Sequence, residues 1–269
     1  MANQLHQGGR LTEHGERIFL GSYRKIKKNK EKPRGNKKIK KKNILLTNLM
    51  NKNSVELIGH YGSDEVIACS AWTSTSREIT EEKRQRIPTL IEMLWSNGHE
   101  TPFEKGHVHF LVNCDIASHI HLLKHRISSV NAESARYKEL KEDKTYIPND
   151  WKGARVLSLL GADPSMTWDR LLKIYTDLGN AYYHACVKDL EPLLGRKRAK
   201  ESARFFKMYN SQINSNKMMS FDGFVQIYKK RNLLSPSQRE IANVVEQMLD
   251  EIKSIPNNPF EYSLKAFNL

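Results

Sequence analysis

The sequence predicts an α+β fold in which an antiparallel or mixed sheet is flanked by long helices. Three observations favour this class: short segments with strand-like alternation, two long segments with helical periodicity, and no regular alternation between the two types. A doubly wound parallel sheet would instead require strands and helices in strict succession. With 269 residues, 39% of them hydrophobic, the chain can bury a sizeable core.

The first predicted elements lie between residues 55 and 98. VELIGHY, residues 55–61, is typical of a strand, and VIACSAW, residues 66–72, is interpreted as a second short strand or an irregular extension of the first. Thr80 is predicted to start a helix whose apolar stripe ends at Gly98. Pro88 lies inside this segment and is expected to kink the helix or delay its start.

HVHFLVNC, residues 107–114, has apolar residues at every second position, which predicts a strand with one wet face. Asp115 follows it directly. Because aspartate is a preferred N-cap residue, we expect a helix to begin at Ile116.

Two further helices are predicted in the C-terminal half. One starts after Pro164 and Ser165 and runs to about Gly195, with an apolar stripe expected to pack in the core. The other starts at Ser235 and Pro236. Its predicted buried stripe consists of Ile241, Val244, Val245, Met248, Leu249 and Ile252.

Positive charge is concentrated near the N-terminus. Residues 1–43 carry 14 Lys and Arg residues against three Glu residues, which is +11 of the net charge of +14. We therefore expect residues 1–45 to form a basic flexible arm and residues 46–269 to form one domain. The arm is predicted to bind nucleic acid or another polyanion through phosphate contacts; the alternative is a solvated tail.

Several classes of protein and site are disfavoured. No apolar run approaches the roughly 20 residues that span a bilayer, so a cytoplasmic protein without membrane contact is expected. Cys69, Cys114 and Cys186 are widely separated, which argues against a disulfide framework or a zinc site. The histidines of residues 99–125 lack ligand spacing, so no metal is predicted.

The segment HLLKHRISSVNAESARYKEL, residues 121–140, holds more cations than carboxylates. Its Lys124-His125-Arg126, followed by seven residues and Ser134, resembles the Arg-His-Arg-x7-Ser signature of the flavin-dependent thymidylate synthases. VELIGHYGSDEVIACSAWTS, GHETPFE, ESARFF and SQREI resemble other segments of that family, in the same order. The resemblance extends from residue 54 to about residue 250.

The resemblance implies a homotetramer whose active sites are each built from more than one subunit. FAD would be the bound cofactor, with NADPH as the electron donor. Methylenetetrahydrofolate would give a one-carbon unit to C5 of dUMP, without the cysteine nucleophile of the other thymidylate synthase class.

The resemblance also assigns residues to roles. Those implied to bind the flavin are Ser74, His99, Thr101, Lys124, His125 and Arg126. Those implied to bind dUMP are His121, Ser134, Arg136, Arg204 and Arg231. Catalytic roles fall to Arg126, Ser134 and Arg204, with Ser134 as a nucleotide contact rather than a nucleophile. Guanidinium groups suit a phosphate, and a cation suits the charge that forms on a reduced flavin.

The sequence departs from the family mainly at the implied flavin site. The departures are Lys124 for Arg, Ala132 for Glu, Ser220 and Gln226 for Asn, and Asp222 for Arg. A carboxylate at position 222 is expected to repel a pyrophosphate. Two alternatives therefore stand beside a thymidylate synthase: an enzyme that modifies another pyrimidine nucleotide, and a non-catalytic homologue that binds nucleic acid or acts in assembly.

Overall fold

In a computed structural model of the chain, the structure describes residues 52–269 except residues 77, 160, 162, 235 and 236. The predicted basic arm, residues 1–45, lies outside this part. The described chain forms an antiparallel four-stranded sheet with helices packed on one face, so the predicted α+β class is confirmed.

The sheet has the strand order β1-β2-β4-β3, with every neighbouring pair antiparallel. The strands are β1 (Ser54–Tyr61), β2 (His107–Asp115), β3 (Ser129–Ala132) and β4 (Gln212–Ser220). The helices are α1 (Asp64–Trp72), α2 (Glu81–Gln85), α3 (Ile87–Ser96), α4 (Ile116–Leu123), α5 (Trp168–Leu194), α6 (Arg196–Ala203), α7 (Phe221–Tyr228), α8 (Arg239–Lys253) and α9 (Glu261–Ala266).

The two faces of the sheet differ in burial. Val108, Phe110 and Val112 of β2 are fully buried beneath helices, whereas Leu111 of the same strand and Met218 of β4 are more than a third exposed. This alternation confirms the predicted strand with one wet face. The buried face holds the main core of the molecule.

The interpretation of VIACSAW as a strand or an irregular extension is wrong, because the segment belongs to α1. Ser63 adopts extended backbone geometry and its hydroxyl accepts a hydrogen bond from Val66 N, which caps the helix. Two acidic residues follow in the first turn, where they favour the helix dipole. The cap outweighs the strand preference of β-branched residues.

The helix predicted between Thr80 and Gly98 is divided into α2 and α3. Thr80 caps α2 as predicted, by accepting a hydrogen bond from Lys83 N at 3.3 Å. Pro88 stands in the first turn of α3, where its missing N–H costs nothing, so the expected delay is confirmed. The predicted cap of α4 is confirmed as well, since Asp115 Oδ1 accepts from Ser118 N at 2.8 Å.

The long helix α5 has the predicted bounds, but its core role is confirmed only in part. Among the apolar and aromatic residues at helical spacing along α5, Leu178 is buried, whereas Tyr175 and Tyr182 are about half exposed. The buried stripe of α8 is confirmed in full, and its predicted start at residues 235 and 236 lies outside the described residues. No helix in the described part of the chain combines the length and apolar character needed to cross a membrane.

Candidate active site

Residues 124–128 join α4 to β3 and are called the signature loop here. Backbone bonds fold the loop tightly: His125 N donates to Leu122 O at 3.3 Å, and Ser128 N donates to Arg126 O at 2.7 Å. The Ser128 hydroxyl donates to His125 O at 2.8 Å. Lys124 and Arg126 are exposed, whereas His125 is half-buried. The loop therefore presents two cations around an imidazole that its backbone holds in position.

The imidazole of His125 contacts Arg231, whose Nε donates to His125 Nε2 at 3.1 Å. Arg231 lies in a π-helix, Lys229–Leu233, that follows α7. Burial, and then the positive charges of Arg231, Lys217 and Lys230, lower the pKa of His125 to about 4. His125 is therefore neutral at pH 7, with Nε2 as an acceptor and the ring proton on Nδ1.

This cluster of basic residues is suited to an anion. In the described part of the chain, Arg126, Lys230 and Arg231 make no ion pair with a carboxylate. An anionic or electron-rich ligand would therefore meet guanidinium donors that protein carboxylates do not occupy. The neutral His125 can add a donor from Nδ1.

The signature loop packs against the start of α7. A Cβ atom on Gly223 would lie 3.4 Å from Ile127 O and 3.1 Å from Ser220 Oγ. The Ser220 hydroxyl caps α7 by accepting from Gly223 N at 3.1 Å. Glycine at this position therefore permits the close approach of loop and helix.

Carboxylates surround the other side of α7. Gln226 Nε2 donates to Asp222 Oδ1 and to Glu100 Oε1, each at 3.3 Å. Burial, and then the charges of Glu100 and Glu104, raise the pKa of Asp222, although the bond from Gln226 opposes this. Asp222 is thus one member of a group of acids, and the repulsion of a pyrophosphate at this point stays a prediction.

The other residues implied for the flavin are exposed. His99 and Thr101 flank Glu100 in the segment that follows α3, so the bond from Gln226 brings them close to α7. Ser74 follows α1 and donates to Ala71 O at 3.0 Å. His99 and Thr101 thus share α7 as a neighbour with the signature loop.

Three of the residues implied for dUMP lie around α6. Ser134 Oγ accepts from Arg136 N at 3.3 Å, and Arg136 Nε forms an ion pair with Glu201 of α6. Arg204 stands at the C-terminal end of α6 and is exposed. Ser134, Arg136 and Arg204 therefore form a second group, while His121 lies on α4, half-buried, before the signature loop.

The two groups remain separate in one subunit. Across the described residues, no hydrogen bond or ion pair joins the signature-loop group to the group around α6. Arg231, which the resemblance implies for dUMP, lies instead against His125 of the flavin group. The residues implied for the substrate are therefore divided between the two groups.

This chain has Ala132 where the family has a glutamate, and a carboxylate, that of Glu133, follows one residue later. Glu133 accepts from Asn214 N at 2.9 Å and from Lys138 Nζ at 2.7 Å. Although burial opposes it, these bonds lower the pKa of Glu133. Glu133 is thus committed to β4 and to Lys138, and it does not replace a carboxylate at position 132.

Two residues of the site, Ser128 and Lys217, were not predicted from the sequence. Lys217 of β4 is fully buried beneath the signature loop, and its Nζ donates to Ser128 Oγ at 2.6 Å. Neither residue belongs to the motif letters, and β4 itself was not predicted. Only the register, which pairs Lys217 with Val130 of β3, brings them together.

The residues present fit a flavin at the signature loop. The exposed Arg126 can stabilise the negative charge that reduction gives to the ring system. The neutral His125 and the exposed Lys124 supply further donors. Asp222 is the residue that fits least well, because it adds a carboxyl group where the charges of Glu100 and Glu104 outweigh that of Lys229.

The fold resembles that of solved structures. A UMP/dUMP methylase, PolB from Streptomyces cacaoi, bound with 5-Br dUMP, matches with a TM-score of 0.64 at 24% identity, over 81% of this chain and 95% of that chain. The same protein bound with 5-Br UMP matches with a TM-score of 0.61 at 22% identity and the same coverage. At these identities the comparison establishes a common fold.

The proteins that this chain resembles in sequence share one name. A flavin-dependent thymidylate synthase of Pseudothermotoga lettingae is 36% identical over 104 residues, which are 39% of this chain and 46% of the relative. The chain thus spans about half the length of that relative. A protein of the same name from Streptomyces avermitilis is 27% identical over 231 residues, covering 80% of this chain and 90% of the relative.

A family profile decides membership. The profile described as "Thymidylate synthase complementing protein" matches residues 56–256, which include most of β1 and the whole of the signature loop and α8. Because the match covers most of the chain and the relatives agree with it, the chain belongs to the thymidylate synthase complementing protein family, that of the flavin-dependent thymidylate synthases.

Proposed function

We propose that this protein transfers a one-carbon group to C5 of dUMP, with FAD as its cofactor. Methylenetetrahydrofolate is the proposed one-carbon donor and NADPH the proposed reductant. The observation that carries the proposal is the contact between His125 and Arg231 at a signature loop whose cations lack carboxylate partners in the described chain. Relatives named flavin-dependent thymidylate synthases support it.

In this proposal the group around α6 holds the nucleotide. Arg136 and Arg204 supply guanidinium donors to the phosphate, and Ser134 adds a hydroxyl. Arg136 is already oriented by its ion pair with Glu201, which reduces the side-chain entropy lost on binding. Arg204 is exposed and available to a ligand.

The signature loop holds the flavin. When bound and reduced, the flavin supplies the hydride that completes the methyl group. Arg126 stabilises the negative charge of the reduced flavin ring. Lys124 keeps the positive charge of the family's arginine but lacks the planar guanidinium group that can donate two parallel hydrogen bonds. His125 donates from Nδ1 and in turn orients Arg231. Ser74, His99 and Thr101 contribute polar contacts from the exposed turns.

Complete active sites require more than one subunit in this proposal. The group around α6 and the signature-loop group are not joined in the described monomer, so a second copy brings one to the other. Exposed apolar side chains beside Arg204 support such an interface: Phe205 is 84% exposed and Tyr209 is 69% exposed. A homotetramer is the proposed assembly.

Three finer predictions remain. UMP is a second candidate substrate, because the structural neighbour PolB is named a UMP/dUMP methylase. Binding of nucleic acid by residues 1–45 and a cytoplasmic location stay predictions from the sequence.

Flavin retention tests the proposal. Wild-type protein incubated with FAD and passed through ultrafiltration is expected to remain yellow, with the visible absorption bands of a bound flavin. His125→Ala is expected to lose the colour, because Arg231 and the loop lose the imidazole between them. His60→Ala, an exposed histidine of β1, is the matched control and should retain it. Colourless wild-type protein would contradict the proposal.

A further inference from the structure

Lys217 occupies an unusual position for a lysine. It lies on the buried face of β4, opposite Phe110 of β2 and Val130 of β3, and its relative exposure is 0%. A lysine is almost never fully buried unless it is paired. Its two hydrogen-bond acceptors in the described chain, Leu122 O and Ser128 Oγ, are both neutral.

The two acceptors lie at opposite ends of one short segment. Leu122 is the penultimate residue of α4, just before the signature loop, and its carbonyl accepts from Lys217 Nζ at 3.3 Å. Ser128 closes the loop and accepts from the same nitrogen at 2.6 Å. One ammonium group therefore joins the beginning of the loop to its end.

The connection continues into the middle of the loop. Ser128 Oγ donates to His125 O at 2.8 Å, so Lys217, Ser128 and His125 form a continuous chain of hydrogen bonds. The Leu122 carbonyl also accepts from His125 N at 3.3 Å. Both main-chain polar groups of His125 are thus linked to the Lys217 ammonium, each through one atom: the N–H through Leu122 O and the carbonyl through Ser128 Oγ.

The arrangement has a cost in stability. Burial lowers the pKa of Lys217 to about 8. The titratable groups that face it are His119 of α4 and His125 of the loop. Burial is the largest cause that lowers the pKa of each histidine, and the positive charge of Lys217 lowers it further. An apolar side chain facing Phe110 would avoid this cost. Proteins commonly accept such costs where a site must be held in one geometry.

We propose that Lys217 is a positioning residue that holds the signature loop in its ligand-binding conformation through Leu122 and Ser128. Lys217 itself does not touch the ligand in this role. It fixes the backbone of His125 and so directs the imidazole toward Arg231. The part of the proposal that concerns flavin affinity rests on the proposed function; the part that concerns the loop does not.

Hydrogen exchange of the full chain, followed by mass spectrometry, tests the loop directly. In Lys217→Met, the amides of His125 and Ser128 are expected to exchange about tenfold faster, the factor for a loss of ~1.4 kcal/mol in local hydrogen bonding. Ser128→Ala breaks the same chain while it leaves the ammonium in place, and it should accelerate the same amides. Ser215→Ala, a buried substitution on the same face of β4, is the matched control.

The outcomes separate positioning from a general structural role. Unchanged exchange at His125 and Ser128 in both variants would overturn the proposal, and so would faster exchange spread over β1 and β2. The FAD dissociation constant of Lys217→Met is expected to rise about tenfold if the amides of the signature loop exchange about tenfold faster. An unchanged constant with a loosened loop would overturn the part that concerns the flavin. Wild-type protein that binds no FAD would refute the proposed function alone, since exchange still decides the role of Lys217.

Discussion

Replacing Arg204 with alanine is expected to weaken dUMP binding by about 10- to 150-fold. The estimate follows from the roughly 1.5–3 kcal/mol that a hydrogen bond to a charged group contributes. Arg204 is exposed at the end of α6, one helical turn after Glu201, which holds Arg136. Isothermal titration of the purified protein with dUMP measures the change.

Arg170→Ala provides the control for this measurement. Arg170 is an exposed arginine in the first turn of α5 and lies outside both groups of site residues. Its removal changes the net charge by the same amount as the loss of Arg204. Equal dissociation constants for the two variants and the wild type would remove Arg204 from the nucleotide site.

Lys217→Met is expected to change how stability depends on pH. Below pH 8 the ammonium is charged in both folded and unfolded chains, and the folded protein bears the full cost of burying it. Between the folded pKa of about 8 and the ordinary value of 10.5, the unfolded chain binds more protons than the folded one. The wild type should therefore gain stability relative to the variant as pH rises through this window, by about 3 kcal/mol in total.

Urea unfolding of both proteins between pH 7 and pH 10.5 measures this difference. Methionine has a similar length and no charge, so the comparison isolates the ammonium and its two hydrogen bonds. Parallel stability curves over the whole range would mean that Lys217 keeps its ordinary pKa in the folded protein. The buried charge described here would then be wrong.

The sequence predicted the elements that have strong local signals. The strand at residues 107–114, the cap at Asp115 and the stripe of α8 each depend on a pattern contained in a few residues. VIACSAW was misinterpreted because its β-branched residues suggest a strand, whereas the cap at Ser63 determines the helix. Local composition and local capping pointed to different structures there.

The strand β4 could not be predicted from its own letters. QINSNKMMS has little alternation of apolar and polar residues, and its buried positions include Ser215 and Lys217. It forms a strand because β2 and β3 pair with it on both sides. Tertiary pairing of this kind overrides weak strand propensity.

The sequence predicted residues of the candidate site, but not which of them lie close together. The motif letters identified His125, Ser134 and Arg204, which now fall into two separate groups. Arg231 was implied for dUMP and lies instead against His125, a relation that depends on the π-helix after α7. Lys217 left no signal in the sequence, since a lone lysine is ordinarily a surface residue.

We propose that this chain methylates dUMP with the help of a flavin, and release of tritium from C5-labelled dUMP tests this claim most directly. Purified protein supplied with FAD, NADPH and methylenetetrahydrofolate is expected to release tritium and to form dTMP in equal amounts. Omitting FAD or the folate should abolish both products. Protein that binds FAD and dUMP but releases no tritium would contradict the claim.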